Sequence, residues 1–139
     1  MLSVGVCAQR EFSMEDYVAA MAGNRVTKTV FLETDCAKDQ LEVEAGFVGK
    51  LCADPSQPVA GAVIGCSIDS DGFKAYIDKM KQHDYVKGVR DVMHPKDKGF
   101  CLRPEVLANI QYLGASPPVY MNISAAPASS DGGVFWLVL

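Results

Sequence analysis

The chain has little histidine, no excess of basic charge and no long apolar run. Its two histidines, His83 and His94, do not form the His-x-His pair that many metal sites require. The net charge of -4 at pH 7 does not indicate binding to nucleic acid or to an anionic membrane surface, since both attract basic proteins. No stretch approaches the roughly 20 apolar residues of a membrane span, and the N-terminal segment has neither the length nor the basic start of a signal peptide. These absences predict a cytoplasmic protein that binds neither nucleic acid nor membrane.

Cysteine spacing excludes further classes of site. The five cysteines, Cys7, Cys36, Cys52, Cys66 and Cys101, stand singly, at neither metal-ligand nor redox spacing. An odd, dispersed set is typical of a reducing compartment, where buried or idle thiols are expected. No glycine-rich turn opens a helix, so a phosphate-binding loop is not indicated.

What the sequence does contain is a regular alternation of helical and strand patterns. The 139 residues, 49% of them hydrophobic, are enough for one domain with a core. Apolar periodicity and capping residues predict helices at about 14–22, 38–53, 72–82 and 104–113, and β-branched runs predict strands at 27–33, 59–68 and 87–94.

The strands begin about 30 residues apart, which is the length of a βαβ unit. Because such crossovers are right-handed, the sequence predicts an α/β fold with about three parallel strands and four helices. We expect an irregular segment at 1–12, the α/β domain at 13–114 and a poorly specified tail at 115–139, where Ala, Ser, Pro and Gly dominate without a period.

The strand at 87–94 attracts the most functional interest. On a strand, alternate residues share a face, so Gly88, Arg90, Val92 and His94 are expected to point one way and Asp91 the other. This strand therefore places an arginine and a histidine near its carboxyl end, where parallel α/β folds place their chemistry.

Four segments resemble the amidohydrolase-related family, in particular its sugar-lactonase-like branch (relatives of L-fuconolactonase and L-rhamnonolactonase). They are Val-Phe-Leu-Glu-Thr-Asp at 30–35, Val-Ala-Gly-Ala-Val-Ile-Gly at 59–65, Val-Lys-Gly-Val-Arg-Asp-Val-Met-His at 86–94 and Phe-Cys-Leu-Arg-Pro-Glu at 100–105. They follow one another in the family's order and spacing, within a run from about residue 12 to 114.

The resemblance implies a (β/α)8 TIM barrel of the metal-dependent hydrolase superfamily that hydrolyses lactones and related esters, often with zinc. The three strands would be the second, third and fourth of that barrel. The family's His-x-His metal pair is missing, as are its later histidines and its water-activating Asp, and such barrels need roughly 250 residues. We therefore expect a fragment of the enzyme, weak or inactive alone, that holds no metal or other cofactor and retains part of a sugar-lactone site.

The substrate-binding candidates are Arg90, His94 and Glu33, and no residue is assigned a catalytic or metal-binding role. The resemblance implies that Arg90 contacts substrate oxygen atoms, which suits the fork of a guanidinium; the alternative is an ion pair with Glu33. For His94, a substrate contact competes with a solvated loop position, and for Glu33, sugar hydroxyl bonding competes with pairing to Arg90 or a lysine. Asp35 is expected to cap the second helix.

A second hypothesis is a non-enzymatic α/β module that binds a ligand or self-associates, because a partial barrel leaves open strand edges. A third hypothesis is a flavodoxin-like fold. Its support is limited to Glu33 and Asp35 at the end of the first strand, because the sequence has no phosphate-binding loop.

Overall fold

The computed structural model describes residues 12–93 and 95–115, together with the backbone of the strands at 120–124 and 137–138. Four helices are present, α1 (Met14–Met21), α2 (Leu41–Ala53), α3 (Phe73–Met80) and α4 (Pro104–Gly114). Five strands are present, β1 (Thr29–Leu32), β2 (Val59–Gly65), β3 (Val86–Val92), β4 (Tyr120–Ser124) and β5 (Leu137–Val138). Short 3-10 turns precede α2 and α4. The predicted α/β alternation is confirmed.

The strands lie side by side in the order of the sequence. The sheet order is β1-β2-β3-β4-β5. The first three pairings are parallel and the last, between β4 and β5, is antiparallel. A flavodoxin-like sheet reverses its strand order at one point, and this sheet has no reversal, so the third hypothesis is disfavoured.

Two strands fall within the segment that the sequence analysis left as a poorly specified tail. Strand β4 extends the parallel sheet, with Gly88 aligned to Tyr120 and Val92 to Ser124. The sequence prediction missed β4 because it is short and is flanked by Ala, Ser and Pro residues, and it missed β5 because two residues are too few to show an alternating pattern. The rest of the predicted tail after Ala115, and the predicted irregular segment up to Glu11, lie outside the described residues.

The helices that follow β1, β2 and β3 lie together on one face of the sheet. Neighbouring helices contact each other: Lys79 on α3 bonds to Glu42 on α2, and Tyr112 on α4 donates to Asp78 on α3. Between this layer and the sheet lies the core, whose fully buried members include Val48, Ile64, Phe73, Ile77, Val89 and Val106. When each strand–helix–strand crossover is right-handed and the chain moves across the sheet in one direction, the strands lie in sequence order and the helices lie on one face.

The first helix differs from its prediction. Ser13 caps it as expected, in a capping box with Asp16. Its apolar positions, however, do not form a core face, because Tyr17 and Val18 are exposed and Met14 is the one described α1 residue that packs against the core. The helices that flank the parallel strands, α2, α3 and α4, supply the α-helical residues of the core.

Candidate functional site

The carboxyl ends of β1, β2 and β3 surround a cavity of about 180 Å³. Its lining includes three acidic and three basic side chains: Glu33, Asp35, Asp91, Lys38, Arg90 and Lys96. We call this cavity the rim pocket. Two of the three predicted substrate-binding residues, Arg90 and Glu33, line it, and the third, His94, lies outside the described residues.

Arg90 and Glu33 form an ion pair across the intervening strand. The distance from Arg90 Nη1 to Glu33 Oε1 is 2.8 Å, and the two side chains are 18% and 4% exposed. They stand on β3 and just after β1, with Gly65 of β2 between them and aligned with Arg90. The ion-pair alternative for Arg90 is therefore observed, but between strands that are not neighbours.

This pair leaves hydrogen-bonding capacity unused. The Nη1 and Oε1 atoms are close, yet Glu33 Oε1 accepts no well-directed hydrogen bond, and Arg90 Nε is buried without a hydrogen-bond partner among the described residues. Buried polar groups normally find partners, and an orphan donor at a cavity needs an explanation. One explanation is that the guanidinium is set to donate to a ligand oxygen.

Gly65 leaves room for the Leu41 side chain beside the ion pair, and its distances to Glu33 are ordinary van der Waals contacts. A Cβ built on Gly65 would lie 2.7 Å from Leu41 Cδ2, 3.7 Å from Glu33 Cβ and 3.8 Å from Glu33 Oε2. Gly61 of β2 is also closely packed, since a Cβ on Gly61 would lie 2.9 Å from Lys87 Cγ.

Asp35 does not cap the second helix. No side-chain bond caps either α2 or the 3-10 turn before it. Instead Asp35 has a φ of +56°, and its backbone N–H donates to Glu33 Oε2. The prediction was wrong because the chain turns sharply at Asp35, in the left-handed region, before the helix begins. Glu44 fixes the same turn by accepting from the N–H and the hydroxyl of Thr34.

Asp91 fixes the loop that follows β2. Its Oδ2 accepts from Ile68 N at 2.9 Å, and Asn109 Nδ2 on α4 donates to Ile68 O at 2.8 Å. Both polar groups of this buried peptide are thereby satisfied. The expectation that Asp91 points away from Arg90 toward a neighbouring loop agrees with these contacts.

Lys96 was not predicted and joins the rim from the loop after β3. Its Nζ lies 3.5 Å from Asp91 Oδ1, 4.0 Å from Asp69 Oδ1 and 4.7 Å from the Phe100 ring centroid. Lys38 Nζ lies 3.6 Å from the same Asp69 oxygen. Desolvation is the largest single influence on the pKa of Asp69 and raises it, but the hydrogen bond from Ser67, then Lys96 and Lys38, hold that pKa below its usual value. A position four residues beyond β3 is the signal that could have identified Lys96.

Burial suppresses ionisation of the two thiols that line the rim pocket, Cys36 and Cys66, and of the nearby phenol of Tyr76. Desolvation, then Asp91 and Glu33, raise the pKa of Cys66 well above its ordinary value. Desolvation, then Glu44, raise the pKa of Cys36. Desolvation also raises the pKa of Tyr76, whose hydroxyl donates to Gly65 O at 2.8 Å. None of these groups has the character of a nucleophile, and the rim pocket therefore suits binding and orientation of a ligand.

A comparison with protein-family models, with curated proteins and with solved structures finds no match to this chain. In the described part of the chain, no helix is long and apolar enough to cross a membrane.

Proposed function

We propose that this chain forms an arc of a (β/α)8 barrel of the amidohydrolase-related type, and that it binds and orients a sugar lactone or its hydroxy-acid product. The observation that carries the proposal is Arg90, a guanidinium at the carboxyl end of a parallel strand whose buried Nε has no hydrogen-bond partner among the described residues. In barrels of this kind the site lies at that end.

The strand order supports the proposal that these strands form part of a barrel. Successive parallel neighbours, with their helices on one face, curve toward closure as a barrel, whereas an open sheet of this order leaves its other face uncovered. Val30 and Leu32, on the side of β1 opposite Phe31, are 59% and 44% exposed. In a barrel these apolar side chains would face an enclosed interior.

Arg90 is the residue assigned to ligand binding in this proposal. A guanidinium donates through Nε and Nη in a planar fork that fits two oxygens of a carboxylate, or the carbonyl and ring oxygens of a lactone. Glu33 holds one side of the guanidinium and limits its rotation. Lys96 and Lys38 add positive potential at the rim, partly offset by their carboxylate partners.

The described residues do not fit a zinc centre. They contain no group of three or more His, Cys, Asp or Glu side chains arranged to hold a metal, and the sequence has no His-x-His pair. No step of the proposal passes through a metal, and the role assigned to this chain is orientation of the ligand.

The test is turnover of L-fuconolactone and L-rhamnonolactone, with and without added zinc, measured against spontaneous hydrolysis. We expect no enzymatic turnover, together with saturable binding of the hydroxy acid that is weakened by Arg90→Lys. Hydrolysis well above the blank would contradict the orienting role, and absence of hydroxy-acid binding would contradict the site itself.

The alternative is an oligomerising module, which the open edge of β1 favours. This strand has a neighbour on one side only among the described strands, and Val43 and Phe47 of the following helix are also exposed. Unpaired apolar edges promote association. Sedimentation equilibrium separates the two functions: a dimer that Val30→Lys dissociates would favour the module, and a monomer would leave ligand binding as the better account.

A further inference from the structure

A second, larger cavity adjoins the rim pocket. It has a volume of about 530 Å³ and lies between the start of α2 and the loop and helix that follow β2. We call it the α2–α3 groove. Lys38 and Leu41 line both cavities, so these two side chains form the boundary between the rim pocket and the groove.

We infer that the ligand is larger than a single sugar lactone and that the α2–α3 groove holds the additional sugar ring. This inference rests on the proposed function. Cavities for small-molecule ligands usually measure about 300–1,000 Å³. The rim pocket falls below that range and the groove falls within it, so the two together form a site for a ligand of two rings.

The groove has the mixed chemistry that a sugar requires. Tyr76 and Leu41 supply apolar wall, while Ser67, Ser70 and Asp69 supply hydroxyl and carboxylate groups. A pyranose presents C–H faces that pack on apolar walls and hydroxyl edges that bond to such groups. Ser70 Oγ accepts from Gly72 N at 3.2 Å, which leaves its hydroxyl proton for a ligand oxygen.

The boundary between the two cavities is adjustable. Lys38 has 68% of its side chain exposed, and it approaches Asp69 at 3.6 Å. Exposed ion pairs of this kind contribute little to stability. A ligand that passes between the cavities therefore displaces a side chain held only weakly.

The backbone beside the groove is well fixed, so the wall is preorganised. Asp91 and Asn109 hold both polar groups of the Ile68 peptide, which lies between Ser67 and Asp69. Tyr76 is anchored to Gly65 O at the back of the site. A preformed wall reduces the entropy cost of ordering side chains when a ligand binds.

The experiment compares D-gluconate with lactobionate by titration calorimetry on the full chain. Both probes carry the same hydroxy-acid end, and lactobionate adds one hexose. We expect lactobionate to bind about tenfold more tightly, which is the gain expected from one or two extra hydrogen bonds.

Two tryptophan variants provide the matched test. Ser70→Trp places a bulky side chain in the groove and should bring lactobionate affinity down to that of gluconate without changing gluconate affinity. Asp71→Trp, at the adjacent exposed residue, which does not line the groove, should keep the tenfold preference. Circular dichroism of both variants establishes that they are folded.

The outcomes separate this inference from the proposed function. Gluconate binding with no gain for lactobionate, or equal effects of the two tryptophans, would overturn the two-ring site and leave the role of Arg90 standing. Failure of both probes to bind would overturn both proposals.

Discussion

Arg90 on β3 reaches Glu33 beyond β1 by passing Gly65, the β2 residue aligned with it, and the resulting ion pair is 2.8 Å long. The contact therefore joins β3 to the segment that follows β1, across the intervening strand β2. Burying two charges costs several kcal/mol per ion, so the pair is weak support for stability. Its place at the rim, with Arg90 Nε unpartnered among the described residues, is the observation on which the proposed ligand-binding role rests.

Removing Arg90 should cost far more stability than removing an exposed arginine. Arg90→Met leaves the Glu33 carboxylate, 4% exposed, without its partner, and we expect a loss of about 3–5 kcal/mol in the free energy of unfolding. The control is Arg103→Met, because Arg103 pairs with Asp97 at the surface, where the two side chains are 43% and 86% exposed; its loss should be at most about 1 kcal/mol. Urea denaturation measures both, and equal losses would contradict the buried pair.

Two glycines of α2 should respond oppositely to alanine. A Cβ at Gly46 meets nothing within 4 Å, so Gly46→Ala should stabilise the helix by about 0.5–1 kcal/mol. A Cβ at Gly49 would lie 2.8 Å from the ring of Tyr85, whose hydroxyl is bonded to Ala45 O. Gly49→Ala should therefore destabilise by about 1–3 kcal/mol. Thermal denaturation of the pair checks the signs, and stabilisation by both changes would show that Tyr85 does not pack against α2 as described.

Asp35 should be replaceable by glycine with a gain in stability. Its φ of +56° is in the left-handed region that glycine adopts freely, and relief of that conformation should add about 0.5–1 kcal/mol in Asp35→Gly. A helix-capping residue would behave in the opposite way, with a loss of a few tenths of a kcal/mol for glycine. Chemical denaturation of Asp35→Gly and Asp35→Ala distinguishes the two roles, and a loss in the glycine variant would restore the capping interpretation.

Stability should decline at alkaline pH, in part through Cys66. Its pKa is raised in the folded state, so the thiol ionises more readily when the chain unfolds. This contribution is fully present below the unfolded pKa of about 8.5 and is lost as the pH rises above it. Under reducing conditions, Cys66→Ala should lose less stability than the wild type between neutral and alkaline pH. An unchanged pH dependence in the variant would contradict a role for this thiol.

Sequence patterns predicted the elements that bury a regular apolar stripe. Helices α2 and α3 follow their stripes closely, because Ala45, Val48, Phe73 and Ile77 recur at helical spacing and are buried. In α4 the buried positions do not all coincide with the apolar residues, because Leu107 is exposed and the polar Asn109 is buried. Asn109 is buried because it bonds to the Ile68 carbonyl, a contact that periodicity cannot reveal.

The candidate site was predicted only in part, for a related reason. Alternation along β3 placed Arg90 at the correct end of its strand, and residue type made Glu33 a reasonable partner. The register across Gly65 and the approach of Lys96 depend on how three separate segments align. Local sequence carries no information on that alignment, and the left-handed turn at Asp35 was likewise invisible.

The most direct test of the account observes the Arg90 Nε–Hε resonance by nuclear magnetic resonance during titration with a sugar hydroxy acid. The resonance is assigned by its loss in Arg90→Lys. We predict a saturable shift of this resonance as the ligand oxygen accepts the orphan proton. A resonance that stays in place while the same ligand shifts amides elsewhere, or while nothing in the protein shifts, would contradict a ligand-binding role for Arg90.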